Sequence, residues 1–435
     1  MRSITGQFTA KPSFCRDHVI LGGGVVGSAI AYYLTLAGQR CTVVEQERPA
    51  VAASGKAGGF LAASWGDGRV TERLHRLSFA MHAELAETLQ LKSYRTIPTL
   101  SVSSSDVASA GARPHQVSWL DGERVCSLMD EETAQVDPAE LCAALLANAR
   151  ATGLCQLRIG ECVGIDTAHA DDVDGGAAGA RTCTRIRLAD GASLACDSLV
   201  VALGPWSCKV EDWLDVPLPI EGVWSTSLIY ESMQQAAHTH TSAEPAAPGP
   251  STEPAAPGPS TEPAALFVEE DGRGCHLEVY PRPSGEVYVS GCGGSRIVGS
   301  EQLRADSVPP ASANDPDQAR VRAAERSLGE LSALFVGRAS DRQQACLRPC
   351  APDGLPVIGR LPGLSNSYTA CGHNTWGILW APITGLAMSE LLLDGESRSV
   401  NLRPFAPKRF DTLTYRTLSK QRGRQRAGVD VGEQW

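Results

Sequence analysis

The stretch "HVILGGGVVGSAIAYYLTLAGQRCTVVEQE", His18 to Glu47, constrains this chain more than any other. An apolar run breaks into three consecutive glycines, resumes with helical periodicity, and returns to a second apolar run that ends at Glu45. Gly22, Gly24 and Gly27 take the G-x-G-x-x-G spacing. The first glycine permits a tight turn, the second lets backbone approach a pyrophosphate, and the third seats the helix closely on the strand. The start of that helix, at Val25 and Val26, then faces an anion. Glu45, with Gln46 beside it, lies about 20 residues on, where a carboxylate accepts hydrogen bonds from ribose hydroxyls. Strand, glycines, helix, strand and acid together predict an α/β, Rossmann-like unit that binds a dinucleotide. NAD and FAD share this fingerprint.

With 435 residues the chain suits about two to three domains. Its 43% hydrophobic and 20% charged residues are ordinary for a globular protein. A net charge of -10 offers no positive field for nucleic acid. The 14 cysteines include no C-x-x-C pair, so neither a zinc site nor a disulfide framework is spelled out, and reduced thiols are expected. No apolar run of about 20 residues is free of glycine or charge, so no transmembrane segment is expected. The N-terminal "MRSITGQFTAKPSFCRD" lacks an apolar core but carries Arg2, Lys11 and Arg16. An intracellular, cytoplasmic location follows, with mitochondrial import left open.

"SAEPAAPGPSTEPAAPGPSTEPAA", Ser242 to Ala265, is a nine-residue Pro-Ala-Gly repeat with no apolar face to bury. It reads as a flexible insert, spanning 238–265, on a surface loop between two strand-like runs. Two further polar stretches, 168–180 and 307–319, read as extended loops. "DPAELCAALLANARATG" (Asp137 to Gly153) predicts a helix opened by Asp-Pro, Val70 to Gln90 a second helix, and "SLVVAL" (Ser198 to Leu203) a buried strand. Short β-rich runs from Leu266 to Gly293 predict an antiparallel sheet in a separate α+β unit.

The choice between cofactors falls to "ASGKAGGF", Ala53 to Phe60. Gly58 and Gly59 would let backbone lie against a flat ring, while Ser54 and Lys56 would reach phosphate or flavin carbonyl atoms. Here the chain resembles the FAD-dependent amino-acid oxidases of the D-amino-acid oxidase, glycine oxidase and sarcosine oxidase superfamily. Four blocks carry the resemblance: "HVILGGGVVGSAIAYYL", "AASGKAGGF", "VVALGPWS" and "LRPCAPDGLPVIG…GHNTWGILWAPITGLAMSELL". The resemblance implies FAD as cofactor and a discontinuous FAD-binding domain of 15–64, 137–215 and 343–410. It leaves 65–136 and 216–342 to a substrate domain, with flexible termini at 1–14 and 418–435. It also implies that Val163 meets adenine, and that Gly204, Gly372, Gly377, Ile378 and Leu379 lie along the flavin.

Oxidising an amine to an imine needs an α-hydrogen over the flavin, a neutral amine and an anchored carboxylate, with positioning supplying much of the rate. By the resemblance, Arg348 in "CLRPCAPDG" occupies the place of the arginine that pairs with substrate carboxylate, a job suited to a guanidinium fork. A structural salt bridge is the alternative. Tyr280 in "EVYPRPSGEVYV" is a candidate pocket residue, while Arg282 beside it reads as structural. Cys346 matches the cysteine that carries covalent flavin in monomeric sarcosine oxidase. Those enzymes lack an arginine at the place of Arg348, so non-covalent flavin is expected. His373 beside the ring edge would bond the flavin or a backbone carbonyl.

These readings predict an oxidase of small amines or amino acids that uses hydride transfer to flavin and reoxidation by oxygen. Two alternatives stand beside it. One is a dehydrogenase that passes electrons to a quinone or an electron-transfer protein. The other is a flavin-binding assembly factor with little turnover.

Overall fold

The computed structural model describes residues 16–103, 114, 115, 117–121, 126–169, 180–231 and 264–410. The insert at 238–265 lies outside them except for Ala264 and Ala265, as do both termini and most of the 168–180 stretch.

The apolar run before the glycines forms strand Asp17–Leu21, at the centre of a six-stranded sheet. Across that sheet the order is Val357–Arg360, Ser367–Cys371, Ser198–Val201, Asp17–Leu21, Arg40–Glu45 and Cys155–Ile159. All neighbours run parallel except the first pair. From Asp17–Leu21 the chain steps outward to one side and later to the other. A crevice therefore opens at the carboxyl ends of the central strands, where open α/β sheets take their ligands.

Both faces of this sheet are buried, as the near-continuous apolar runs of its strands require. Ile20, Val43 and Val200 pack on helices Val25–Leu36, Pro138–Ala151 and Gly377–Asp394. Val19, Leu21, Val44, Leu199 and Val201 point the other way, toward an antiparallel sheet of Cys162–His169, Arg181–Leu188 and Ser193–Ala195. Asp137 caps its helix by accepting from the amides of Ala139 and Glu140, with Pro138 in the first turn.

A nine-stranded sheet forms the second layer. Glu221–Tyr230 pairs antiparallel with Val287–Ser290, which pairs with Glu278–Pro281, followed by Ala265–Val268, Thr99–Val102 and Cys126–Asp130. Alternation divides its two faces. Leu228, Leu266, Val279, Val287 and Val289 pack with Val321, Ala324 and Leu328 of helix Gln318–Leu331. Glu278, Tyr280, Tyr288 and Ser290 face the opposite side, toward the crevice. The fold is thus α/β, a Rossmann-like sheet with a second, mainly antiparallel unit.

Strand Arg342–Cys350 falls within the 343–410 segment assigned above to the FAD-binding domain, yet it pairs along its whole length with Glu221–Tyr230 of the second sheet. Helix Glu72–Thr88, assigned to the substrate side, packs against Gly377–Asp394. Its contact repairs a defect. Pro382 lies inside the latter helix and has no N–H for the carbonyl of Ile378. His82 supplies a ring nitrogen 3.0 Å from that oxygen, and Ser78 Oγ accepts from the Ile383 amide at 3.3 Å.

Gly377–Asp394, extended back to Asn374, is long and apolar enough to cross a membrane, the one such helix among the described residues. Most of it is buried inside this fold. Gly385 explains how closely it packs, since a Cβ there would come within 2.7 Å of the Ala29 backbone on the crossing helix.

Candidate active site

One cavity of about 630 Å³ runs from the glycine turn to the second sheet. At its first end, Gly22 has a φ of +104°, and a Cβ there would lie 2.3 Å from the carbonyl oxygen of Ala202 on the neighbouring strand. Gly27 is equally constrained, because its Cβ would lie 2.0 Å from the Gly22 carbonyl oxygen. A Cβ on Gly24 would meet only Ser54, its Oγ 3.0 Å away, so that face of the turn opens to the cavity. Ser54 Oγ accepts from the Val25 amide at 3.0 Å. The Val26 amide, one step on, donates to no group among the described residues. No acidic side chain occupies the helix's first turn. Unfilled amides and a positive helix end suit a pyrophosphate.

Glu45 lines the cavity with Gln46. Its carboxylate accepts from the amides of Gly23, at 2.8 Å, and Glu47, at 3.1 Å, while burial pushes its carboxyl above the usual range. It therefore braces the turn as well as lining the cavity. Farther along, the wall is formed by Gly204, with a φ of +57°, and by Asn374, Trp376, Gly377 and Ile378.

Several residues singled out from the sequence sit elsewhere. Lys56 does not reach the cavity: its ammonium donates to the carbonyls of Ala311 and Ala345, each at 2.8 Å. A long flexible cation was taken by unsatisfied backbone that no local pattern reveals. Gly58 and Gly59 do line the cavity, but their smallness serves the protein's own packing. A Cβ on Gly58 would lie 2.7 Å from the Tyr280 ring, and one on Gly59 would lie 1.8 Å from the Val136 carbonyl oxygen. Val163 falls where the pairing of Cys162–His169 with Arg181–Leu188 shifts register; it is 44% exposed, and Glu161 lines the cavity instead. Gly27, Gly372 and Leu379 are buried behind the wall rather than in it.

His373 lines the cavity, but its Nε2 lies 3.1 Å from Thr384 Oγ1 rather than bonding a backbone carbonyl, and burial pulls its pKa down to about 3. It is a neutral ring fixed by its own helix.

At the far end, the second sheet presents Arg348 and Cys346 from Arg342–Cys350, and Ser225 and Ser227 from the adjoining strand. Arg348 Nη2 donates to Ser225 Oγ at 3.0 Å. Burial pushes the Cys346 thiol up, so the thiolate is disfavoured. Tyr280 lies nearly parallel to Phe60 and Tyr288, with ring centroids 5.5 and 6.1 Å away, and its hydroxyl donates to Glu278. Arg282 is structural as expected, pairing with Asp137 and Glu286 at 3.1 Å each.

Two contributors escaped the sequence reading. The start of the 307–319 stretch, read only as a loop, lines the cavity through Val308, Pro309, Pro310 and Ala311, with Asp306 just before it. It is pinned by the Asp306–Lys209 ion pair at 2.7 Å and by Lys56. Glu278 is the other. A charged residue within the alternating "LEVYP" of a strand was its signal, sharing the face of Tyr280.

The cavity thus lies between a Rossmann-like crevice and a second, mainly antiparallel sheet that carries an arginine. The chain belongs to the FAD dependent oxidoreductase family, DAO, whose match spans residues 17–391. Glycine oxidase of Bacillus subtilis is 25% identical over 439 residues, covering 91% of this chain and 98% of that one. A Schizosaccharomyces pombe protein named only as an oxidoreductase is 26% identical over 423 residues, covering 90% and 98%. Among solved structures, L-proline dehydrogenase from P. horikoshii superposes with a TM-score of 0.69 at 17% identity, covering 91% of this chain and 98% of that one. Glycine oxidase from Bacillus cereus gives 0.64 at 19%, covering 88% and 96%.

The protein is therefore an FAD-dependent enzyme. The residues present fit that cofactor: the open Gly24 face and free Val26 amide would take its pyrophosphate, Glu45 would face its ribose, and the 202–206 and 374–378 segments would line the rest of its cavity.

Proposed function

We propose that this enzyme oxidises a small amino acid or amine to the corresponding imine, with oxygen as the final acceptor. The bound flavin supplies hydride acceptance; the chain's own residues hold the substrate and exclude water. Arg348 carries the reading. It is a guanidinium inside the cavity, braced by Ser225, at the end away from the glycine turn, where a carboxylate would be gripped by two parallel N–H bonds. Phe60, Tyr280 and Trp376 supply apolar walls that limit substrate size.

The test uses purified holoprotein and a panel of glycine, sarcosine and both enantiomers of alanine, proline and glutamate. Anaerobic mixing is expected to bleach the flavin absorbance with at least one member. Air is then expected to restore it with one peroxide per turnover. Bleaching without peroxide would replace oxygen by another electron acceptor. No bleaching with any member would overturn the amino-acid reading.

A further inference from the structure

Glu278 is unusual company for a substrate-binding arginine. It lines the cavity from strand Glu278–Pro281, directly opposite Ser290 in the pairing register. Its Oε2 accepts from the hydroxyls of Tyr280 and, at 3.3 Å, Ser290. Among the described residues nothing donates to Oε1, and no cation pairs with the carboxylate within 4.0 Å. Arg348 is near enough to bias its charge without neutralising it by contact. The titratable groups facing Glu278 are Tyr280 on its own strand, Tyr288 on the next, His276 and Arg348.

A carboxylate in this position is costly unless something cationic completes it. Two hydroxyls fix the orientation of the carboxylate and leave one oxygen for that cation. Across the gap, Arg348 presents the opposite charge. Together they make a dipolar pair, which an α-amino acid zwitterion matches head to tail: its carboxylate against guanidinium, its ammonium against carboxylate.

Building on the amino-acid reading above, we infer that Glu278 Oε1 receives the substrate's α-ammonium and takes its proton, so that the site selects zwitterionic amino acids and prepares their neutral amine. The transfer balances simply: the N–H bond of R–CH(NH3+)–COO− breaks, its electron pair stays on nitrogen, and an O–H bond forms on Glu278. The free amine's lone pair then assists loss of hydride from the α-carbon. Burial raises the proton affinity of Glu278, and raises that of the Tyr280 hydroxyl even further, so Tyr280 remains a donor throughout.

Glu278→Gln removes the acceptor while keeping the shape. With the panel member that reduces wild-type flavin fastest, the variant is expected to retain its flavin and lose at least about 100-fold in kcat/KM at pH 7. Its activity should then climb about tenfold per pH unit toward the amino group's own pKa, because only the free amine in solution remains a substrate. The wild type should change far less over the same range. If Gln drives out flavin, Glu278→Asp decides, keeping the wild-type profile at reduced rate. A Gln or Asp variant with wild-type kcat/KM, a Gln variant whose profile parallels the wild type's, or an Asp variant whose activity climbs with pH overturns the role of Glu278 alone. A wild type that no panel member reduces overturns the amino-acid reading and this role together.

Discussion

Arg348→Ala is expected to lower kcat/KM for a carboxylated amine by roughly 30- to several-thousand-fold, the equivalent of ~2–5 kcal/mol for removing one partner of a desolvated charge pair. Flavin content should not change, because Arg348 lies on a strand of the second sheet and not on the glycine turn. Lysine should restore only part of the loss, since a point charge cannot reproduce two parallel hydrogen bonds. An amine without a carboxylate provides the control, and its slow oxidation should barely respond. Wild-type turnover of the best amino acid in Arg348→Ala would place the anchor elsewhere.

The second large effect is on stability at acid pH. Burial depresses His18 and His82 to about 4 and His373 to about 3, all from an ordinary value near 6.5. The unfolded chain therefore binds protons that the fold refuses. Their stabilisation is complete above pH 6.5 and is lost as pH falls toward the folded values. At pH 5 each costs roughly 2 kcal/mol relative to pH 7, a large share of the total stability of a folded chain. Glu45 and Glu278, raised by burial, act in the opposite sense and offset part of this. The net expectation is a markedly lower urea midpoint at pH 5 than at pH 7, with the difference reduced in His82→Gln. Equal midpoints at the two pH values would contradict it.

Much of the cofactor end was legible because its constraints are local. Gly22, Gly24 and Gly27 answer to a turn, an opening and a helix contact within one short segment, and Glu45 follows at a fixed distance along the same motif. Other parts of the site were less legible because their partners are distant in sequence. Lys56 bonds to carbonyls 255 and 289 residues away, and nothing near it in the chain announces them. Val163 sits at a register irregularity of its strand pair and is exposed, a local feature that the sequence does not announce. Glu278 is announced in the sequence only as a charge within an alternating strand, on the face it shares with Tyr280. The resemblance put Arg348 in the FAD-binding segment, whereas its strand pairs along its length in the second sheet.

That strand has a further consequence. The chain adds its last strand of the second sheet at Arg342–Cys350, turns, and only then lays down Val357–Arg360, Ser367–Cys371 and helix Gly377–Asp394 in the first. The glycine turn leaves the ribosome first, yet the walls that complete its cavity are made last. Cofactor loading is therefore expected to follow synthesis of the C-terminal elements, and a nascent chain would carry an incomplete apolar crevice until then, a period in which aggregation competes with folding. A chain stopped after residue 340 is expected to retain no flavin at any cofactor concentration that saturates the full-length protein, as read by absorbance after gel filtration. The stretch from Arg342 to Asp394 thus couples completion of the cavity to the last elements laid down in the first sheet.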